Sequence, residues 1–177
     1  MPHHYYIDTD YLYSYIFMKN HHLKKFLSKK NMDEEVARCD NFKKIIFNKN
    51  TEVLIKVSFV VLGELFNKLN NHVTDCDENC FNSLNNEIFS LFRRKNVDLI
   101  PLMKKSYSLA DEIIQNNSNF DSTDALIVSQ ALADENSVFI ATMDYTIIKS
   151  FAGGITAQIN ARLYENNERF KKLEIYG

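Results

Sequence analysis

Tryptophan is absent, and glycine and proline are scarce, with four and two residues in a chain of 177. So few chain-breakers exclude a loop-rich scaffold and leave room for long regular elements. Cysteine is scarce as well. Cys39, Cys76 and Cys80 make an odd count, well short of a disulfide-stapled secreted domain. They are expected to be reduced thiols in a cytoplasmic protein. No apolar run approaches the roughly 18 residues of a membrane span. The opening residues, MPHHYYIDTD, lack the apolar core of a signal peptide. Neither sign of charge dominates. With 21 Lys and Arg against 23 Asp and Glu, the formal net charge is −2, which excludes a uniformly basic nucleic-acid binder. Internal repeats, low-complexity tracts and a second domain are also missing.

What is present suits one folded domain. Apolar residues make up 45% of the chain, too many for disorder and enough for a proper core. Basic residues fall in local clusters: Lys24-Lys25, Lys29-Lys30, Lys43-Lys44, Arg93-Arg94-Lys95, Lys104-Lys105 and Lys171-Lys172. Such clusters are mostly solvated faces, though one beside an acidic centre could hold a phosphate.

Hydrophobic periodicity alternates between strands and helices. Tyr5 to Ile7 reads as a strand and Tyr11 to Met18 as a helix. Asp33 to Phe47 reads as a helix with its acids in the first turn and Val36, Phe42, Ile45 and Ile46 inward. Glu52 to Val57 is a strand, and Ser58 is a natural cap for a helix from Phe59 to Asn71. Its expected apolar side is Leu62, Leu65, Phe66 and Leu69, with Glu64 at the margin. Phe81 to Lys95 is a helix, Val97 to Ile100 a strand, and Lys104 to Asn116 a helix packing through Tyr107, Ala110, Ile113 and Ile114. Tyr145 to Phe151 is a short helix ended by Gly153-Gly154. Ile155 to Lys171 is ambiguous, with apolar residues at helical spacing, and Leu173 to Tyr176 is a candidate edge strand. Strand–helix alternation of this kind implies an α/β domain with a parallel sheet.

The stretch Asp121 to Asp144, DSTDALIVSQALADENSVFIATMD, carries the most information. Asp121, Ser122 and Thr123 are good N-cap residues, and the run from Ala125 to Ala133 is apolar nearly all round, as in a buried helix. Asp124 lies one to two turns before Ile127, Val128 and Ala131, so its carboxylate points along an apolar face. Val138 to Ala141 then form a buried strand ending at Thr142, Met143 and Asp144. In open parallel sheets, ligands bind beyond the carboxyl ends of strands. Asp8 also follows a strand, Asp124 starts a helix, and Glu64 lies on the helix after the second strand. Each acid has a local reading too: Asp121 and Asp144 as caps, Asp124 as part of a capping box, Glu64 as a solvated side chain. Gathered at one sheet edge, the four would raise one another's pKa, and a divalent cation would relieve the repulsion. Oxygen-only ligands select Mg²⁺ or Mn²⁺. No histidine is placed to act as a base; His3, His4, His21, His22 and His72 read as surface residues. His72, Cys76 and Cys80 would line up on a continuous helix, a weak zinc pattern interrupted by Thr74, Asp75 and Asp77.

The segments IDTDYL, SFVVLGEL, DSTDALIVSQALA and IATMD resemble, in that order, the four acidic motifs of the PIN-domain nucleases, which include VapC-like ribonucleases. They span Ile7 to Asp144. The resemblance implies a three-layer α/β/α domain with a central parallel sheet of four or five strands. That domain would run from Met1 to Gly177, with a helical insertion from about Lys19 to Asn50. It implies a metal-dependent endoribonuclease in which Asp8, Glu64, Asp124 and Asp144 bind Mg²⁺ or Mn²⁺ and carry catalysis. Asp121 would be a supporting acid, and Thr142 would orient Asp144 or a water. Asp10 departs from the family's usual Asn or Ser, and would be a further ligand or a helix cap. The implied partners are RNA, an antitoxin protein if the chain is the toxin of a toxin–antitoxin pair, and a second copy in a homodimer, with no membrane.

Two rival readings differ in class. A strand followed by Asp-x-Asp also resembles haloacid-dehalogenase-like phosphatases, with Asp8 as nucleophile and Asp10 as acid/base. That reading requires a suitably placed lysine and leaves Glu64 without a role. The other rival is a catalytically inactive PIN-like scaffold in RNA processing, against which the complete acid set argues.

Overall fold

A computed structural model describes residues 3–20, 24, 29–47, 53–73, 77–116, 119–134, 136–142, 144–152 and 174–176. The ambiguous segment from Ile155 to Lys171 and the Gly153-Gly154 stop lie outside them. The strands are β1 (His3–Ile7), β2 (Val53–Ser58), β3 (Val97–Ile100), β4 (Ser137–Ala141) and β5 (Glu174–Tyr176). The helices among the described residues are α1 (Thr9–Lys19), α2 (Lys29–Ile46), α3 (Phe59–Val73), α4 (Glu78–Phe92), α5 (Lys104–Asn116), α6 (Ser122–Ala133) and α7 (Tyr145–Ala152). The fold is α/β.

The strands form one five-stranded sheet in the order β3-β2-β1-β4-β5. Every pairing is parallel. The chain steps from β1 outward through β2 to β3, then returns to add β4 on the other side of β1. The strand order therefore reverses between β1 and β4. Ile7 is in register with Ala141, so the residues that follow, Asp8 and Thr142, leave the sheet side by side. This is the crevice where open α/β sheets bind ligands.

Side chains alternate across the sheet and build two cores. Ile7, Val53, Ile55 and Val57 face a cluster with α1, α2, α3 and α4 that includes Tyr11, Tyr15, Phe42, Leu65, Leu84 and Leu91. Tyr6 and Ile140 face the other cluster, with Leu109 and Ile113 of α5 and Val128 and Leu132 of α6. Helix α6 serves both, since Ile127 belongs to the first cluster and Val128 to the second. That explains an apolar pattern with no wet face. Ile55 is fully buried in the first core. Ile55→Ala is therefore expected to lower the unfolding free energy by about 2–5 kcal/mol in urea melts. A loss under about 1 kcal/mol would show that the neighbouring strands and helices close the gap.

Several local expectations are corrected. Helix α2 starts at Lys29, so Asp33, Glu34 and Glu35 are not in its first turn and do not complement its dipole. It packs mainly on α1. Glu35, Cys39, Phe42, Ile45 and Ile46 face inward, and Val36 is exposed. Buried Glu35 is tolerated because the Ser14 hydroxyl donates to it and Arg38 pairs with it at 3.1 Å. Phe66, Tyr107 and Ile114 have helical spacing but lie exposed. His4 is not a bare surface residue: its Nδ1 is 2.6 Å from Asp134 Oδ2, an oxygen that also accepts from the Tyr6 hydroxyl at 3.1 Å. Cys39 is a buried free thiol, whereas Cys80 is disulfide-bonded. An odd count requires one unpaired thiol and does not forbid a bond elsewhere. The bond removes Cys80 as a zinc ligand; Cys76 and the His72 side chain lie outside the described residues.

Candidate functional site

Asp8 ends β1 and caps α1, accepting from the Thr9 amide at 2.6 Å. Its other oxygen accepts from the Thr142 hydroxyl at 2.6 Å. Thr142, fully buried just past β4, also accepts the Asp144 amide at 2.9 Å. One threonine thus ties the two strand ends together and fixes Asp8. Asp8 itself is only 5% exposed. Burial pushes its carboxyl up to about 6; the Asp10 and Glu64 charges add to the rise, and the Thr142 and Thr9 bonds oppose it.

Glu64 comes from α3, whose start is set by Ser58: the Val61 amide donates to its hydroxyl at 3.2 Å. The Thr9 hydroxyl donates to Glu64 Oε2 at 2.5 Å. Asp121 caps α6, its Oδ1 accepting the Thr123 and Asp124 amides, each at 2.8 Å. Asp144 caps α7 through the Thr146 and Ile147 amides at 2.7 and 3.1 Å. The capping readings of Asp121 and Asp144 are therefore correct as far as their amide bonds go. Asp124 is different. Burial pushes its carboxyl up to about 7, and the charges of Asp121, Asp144, Asp8 and Glu64 add to the rise. A carboxyl along a half-apolar helix face, surrounded by like charge, resists ionisation.

The charges of Asp121, Asp144, Asp8 and Glu64 all act on Asp124, so the five acids share one electrostatic field. Among the described residues, no three His, Cys, Asp or Glu side chains are already drawn to the spacing of a metal's ligands. The donors are all oxygen and their charges repel, which suits a hard divalent ion in chemistry, though not in the spacing the described residues show. Asp10 is not a ligand-like acid here: its Oδ1 is 2.5 Å from Lys68 Nζ.

Two participants were not among the sequence candidates. Thr9 enters the sequence reading only as a letter of the segment IDTDYL, and its bond to Glu64 depends on α1 meeting α3. Lys68 had a usable signal, since it lies one turn after Glu64 and on the same helix face.

No protein-family model matches the sequence, and no curated protein matches it. Solved structures do. VapBC2 from Rickettsia felis, bound to a DNA fragment from its promoter, superposes with a TM-score of 0.53 at 17% identity, covering 98% of this chain and 99% of that one. VapC20 from Mycobacterium tuberculosis, a toxin that cleaves the sarcin–ricin loop, superposes with a TM-score of 0.55 at 15% identity, covering 84% and 95%. The fold is that of a PIN domain. At such low identity the likeness concerns the fold of the chain. In this fold Asp8 follows β1, Asp124 lies in the first turn of α6, and Asp144 lies beyond the end of β4. Among the described residues, no helix is long and apolar enough to cross a membrane.

Proposed function

We propose that the protein is a metal-dependent endoribonuclease hydrolysing RNA phosphodiester bonds, and the toxin of a toxin–antitoxin pair. The observation that carries the reading is the field of coupled carboxylates at the sheet crevice of a PIN fold, where Asp8 and Asp124 are both held far above the usual carboxylate range. Strongly perturbed acids cluster at functional sites, because metal binding and proton transfer both call for shifted pKa values. In this reading Asp8, Glu64, Asp124 and Asp144 hold Mg²⁺ or Mn²⁺. When bound, the ion supplies a water activated near neutral pH and offsets the charge developing on the phosphate. The chain's own residues do the positioning. Thr142 holds Asp8 and Thr9 holds Glu64, which limits how far either carboxylate has to move to take up a cation. Asp121 adds negative charge beside Asp124 and strengthens its demand for a cation.

Support for the toxin role comes from the likeness to VapBC2 and to VapC20, the latter an RNA-cleaving toxin. An antitoxin protein, a homodimer and a cytoplasmic setting belong to the same proposal, as does a single domain from Met1 to Gly177 with a helical insertion from about Lys19 to Asn50. The phosphatase reading finds a lysine near Asp10 in Lys68, yet it gives no role to Glu64, which Thr9 holds in the same field.

The test is cleavage of a labelled single-stranded RNA pool with Mn²⁺ or Mg²⁺, with and without chelator, beside Asp8→Asn. Cleavage by the intact protein is expected, with loss in both controls. Cleavage that survives chelation and Asp8→Asn would sink the carboxylate–metal reading. Absence of both cleavage and calorimetric metal binding would favour the scaffold.

A further inference from the structure

The Asp10–Lys68 pair lies inside the acidic field but has no part in the four-carboxylate reading. Lys68 leaves α3 one turn after Glu64, toward the same crevice. Its ammonium sits 2.5 Å from Asp10 Oδ1. Burial works against its charge, but the bond to Asp10 and the charges of Asp10, Asp8 and Glu64 outweigh burial and hold its pKa above the usual lysine value. It is a permanent cation. Its side chain is nevertheless 44% exposed, against 29% for Asp10, so the pair is open to solvent on the lysine's side. The bond to Asp10 occupies one of its three N–H donors.

A phosphodiester brings negative charge toward a crevice already crowded with carboxylates. A fixed ammonium at its rim can meet that charge and set where the backbone lies. Resting on the ribonuclease reading, we propose that Lys68, held in place by Asp10, contacts a backbone phosphate of the RNA and positions it against the carboxylates. Asp10 is then an anchor for a lysine. That explains why an acid stands where the PIN pattern usually has a neutral side chain, and why that acid need not bind metal.

The test separates this from the ribonuclease reading by measuring binding apart from cleavage. In an Asp124→Asn background, a short fluorescent single-stranded RNA is titrated by anisotropy over a range of KCl. Lys68→Met is expected to weaken binding about tenfold. It should also reduce the slope of log affinity against log salt by about 0.7, the loss of one phosphate contact. Lys68→Arg should keep most of both. The Asp10→Asn/Lys68→Met double variant should stay as weak as Lys68→Met. Recovery of parental affinity in that double variant would show that Lys68 only offsets Asp10, and would overturn the proposal. An unchanged salt slope in Lys68→Met would do the same while leaving the ribonuclease reading intact. Failure of the Asp124→Asn parent to bind RNA would overturn both. In the otherwise wild-type protein, Lys68→Met should raise KM with little change in kcat. Should Lys68→Met fold poorly by thermal melting, Lys68→Gln is carried through the same titration and judged by the same outcomes.

Discussion

Asp124→Asn is expected to lose RNA cleavage by at least roughly 10²–10³-fold, the scale of removing one electrostatic group from a preorganised site. The same variant is expected to melt at a higher temperature than the wild type above neutral pH in the presence of chelator. The two effects share a cause. Asp124 is half-buried, and Asp121, Asp144, Asp8 and Glu64 all oppose its charge. Its carboxyl is raised from 3.8 to about 7 in the folded state. A raised acid favours the fold fully below its unfolded pKa and loses that contribution as pH climbs through the folded value. The gap between the Asp124→Asn variant and the wild type should therefore be small near pH 4, open between about pH 4 and 7, and stay open above. Asparagine retains the shape and removes the repulsion. Activity measured on RNA and melting measured by circular dichroism across pH would check both halves. A variant that cleaves normally would remove Asp124 from the site. One that melts identically at all pH values would show that its charge is screened by solvent.

Mn²⁺ or Mg²⁺ is expected to raise the melting temperature of the chelator-treated protein by about 5–10 °C at saturating concentration, and to do so most above neutral pH. An ion present at about 100 times its dissociation constant stabilises by about 2.7 kcal/mol. For a chain of this size each kcal/mol corresponds to about 2–4 °C. The pH dependence follows from the same two acids. Asp8, raised from 3.8 to about 6, and Asp124, raised to about 7, must both be ionised to bind a cation. Below pH 5 they hold protons, and protons and metal compete. Without metal, ionising buried Asp8 alone opposes folding by roughly 3 kcal/mol, from a shift of about two units at 1.36 kcal/mol each. Asp8→Asn should abolish most of the cation response; its Oδ1 can still accept the Thr9 amide, while its Nδ2 has to donate to the Thr142 hydroxyl and so reverses that bond. A melting temperature indifferent to both ions at pH 8 would leave the acids without a cation to serve, and the nuclease proposal without its cofactor.

The positions of most elements could be read from the sequence because the signals are local. Ser58 caps α3 and Asp121 caps α6 from the sequence neighbourhood alone. The run from Ala125 to Leu132 is buried nearly all round, as its composition implies. The strand-end positions of Asp8 and Asp144 follow from the short apolar runs before them. Faces were less legible. Phe66 and Tyr107 share helical spacing with buried neighbours, yet both are exposed. Periodicity marks an apolar stripe and cannot say where the covering layer ends. Val36 and Glu35 exchanged expected roles because Ser14 and Arg38, from elsewhere in the helical layer or one turn away, satisfy the carboxylate.

The sequence by itself determined that the chain alternates strands and helices, that acids stand where parallel strands end and helices begin, and that their donors are oxygens. Those properties reside in side-chain chemistry and in spacings of a few residues. Only the tertiary structure decided what each acid touches. Thr142 reaches Asp8 across 134 residues, Thr9 reaches Glu64 across 55, and Lys68 reaches Asp10 across 58. Such contacts are set by strand order and register, which place β4 against β1 and α3 beside α1. The raised pKa values belong to the same level, because burial and the summed field of distant carboxylates exist only once the chain has closed around the crevice.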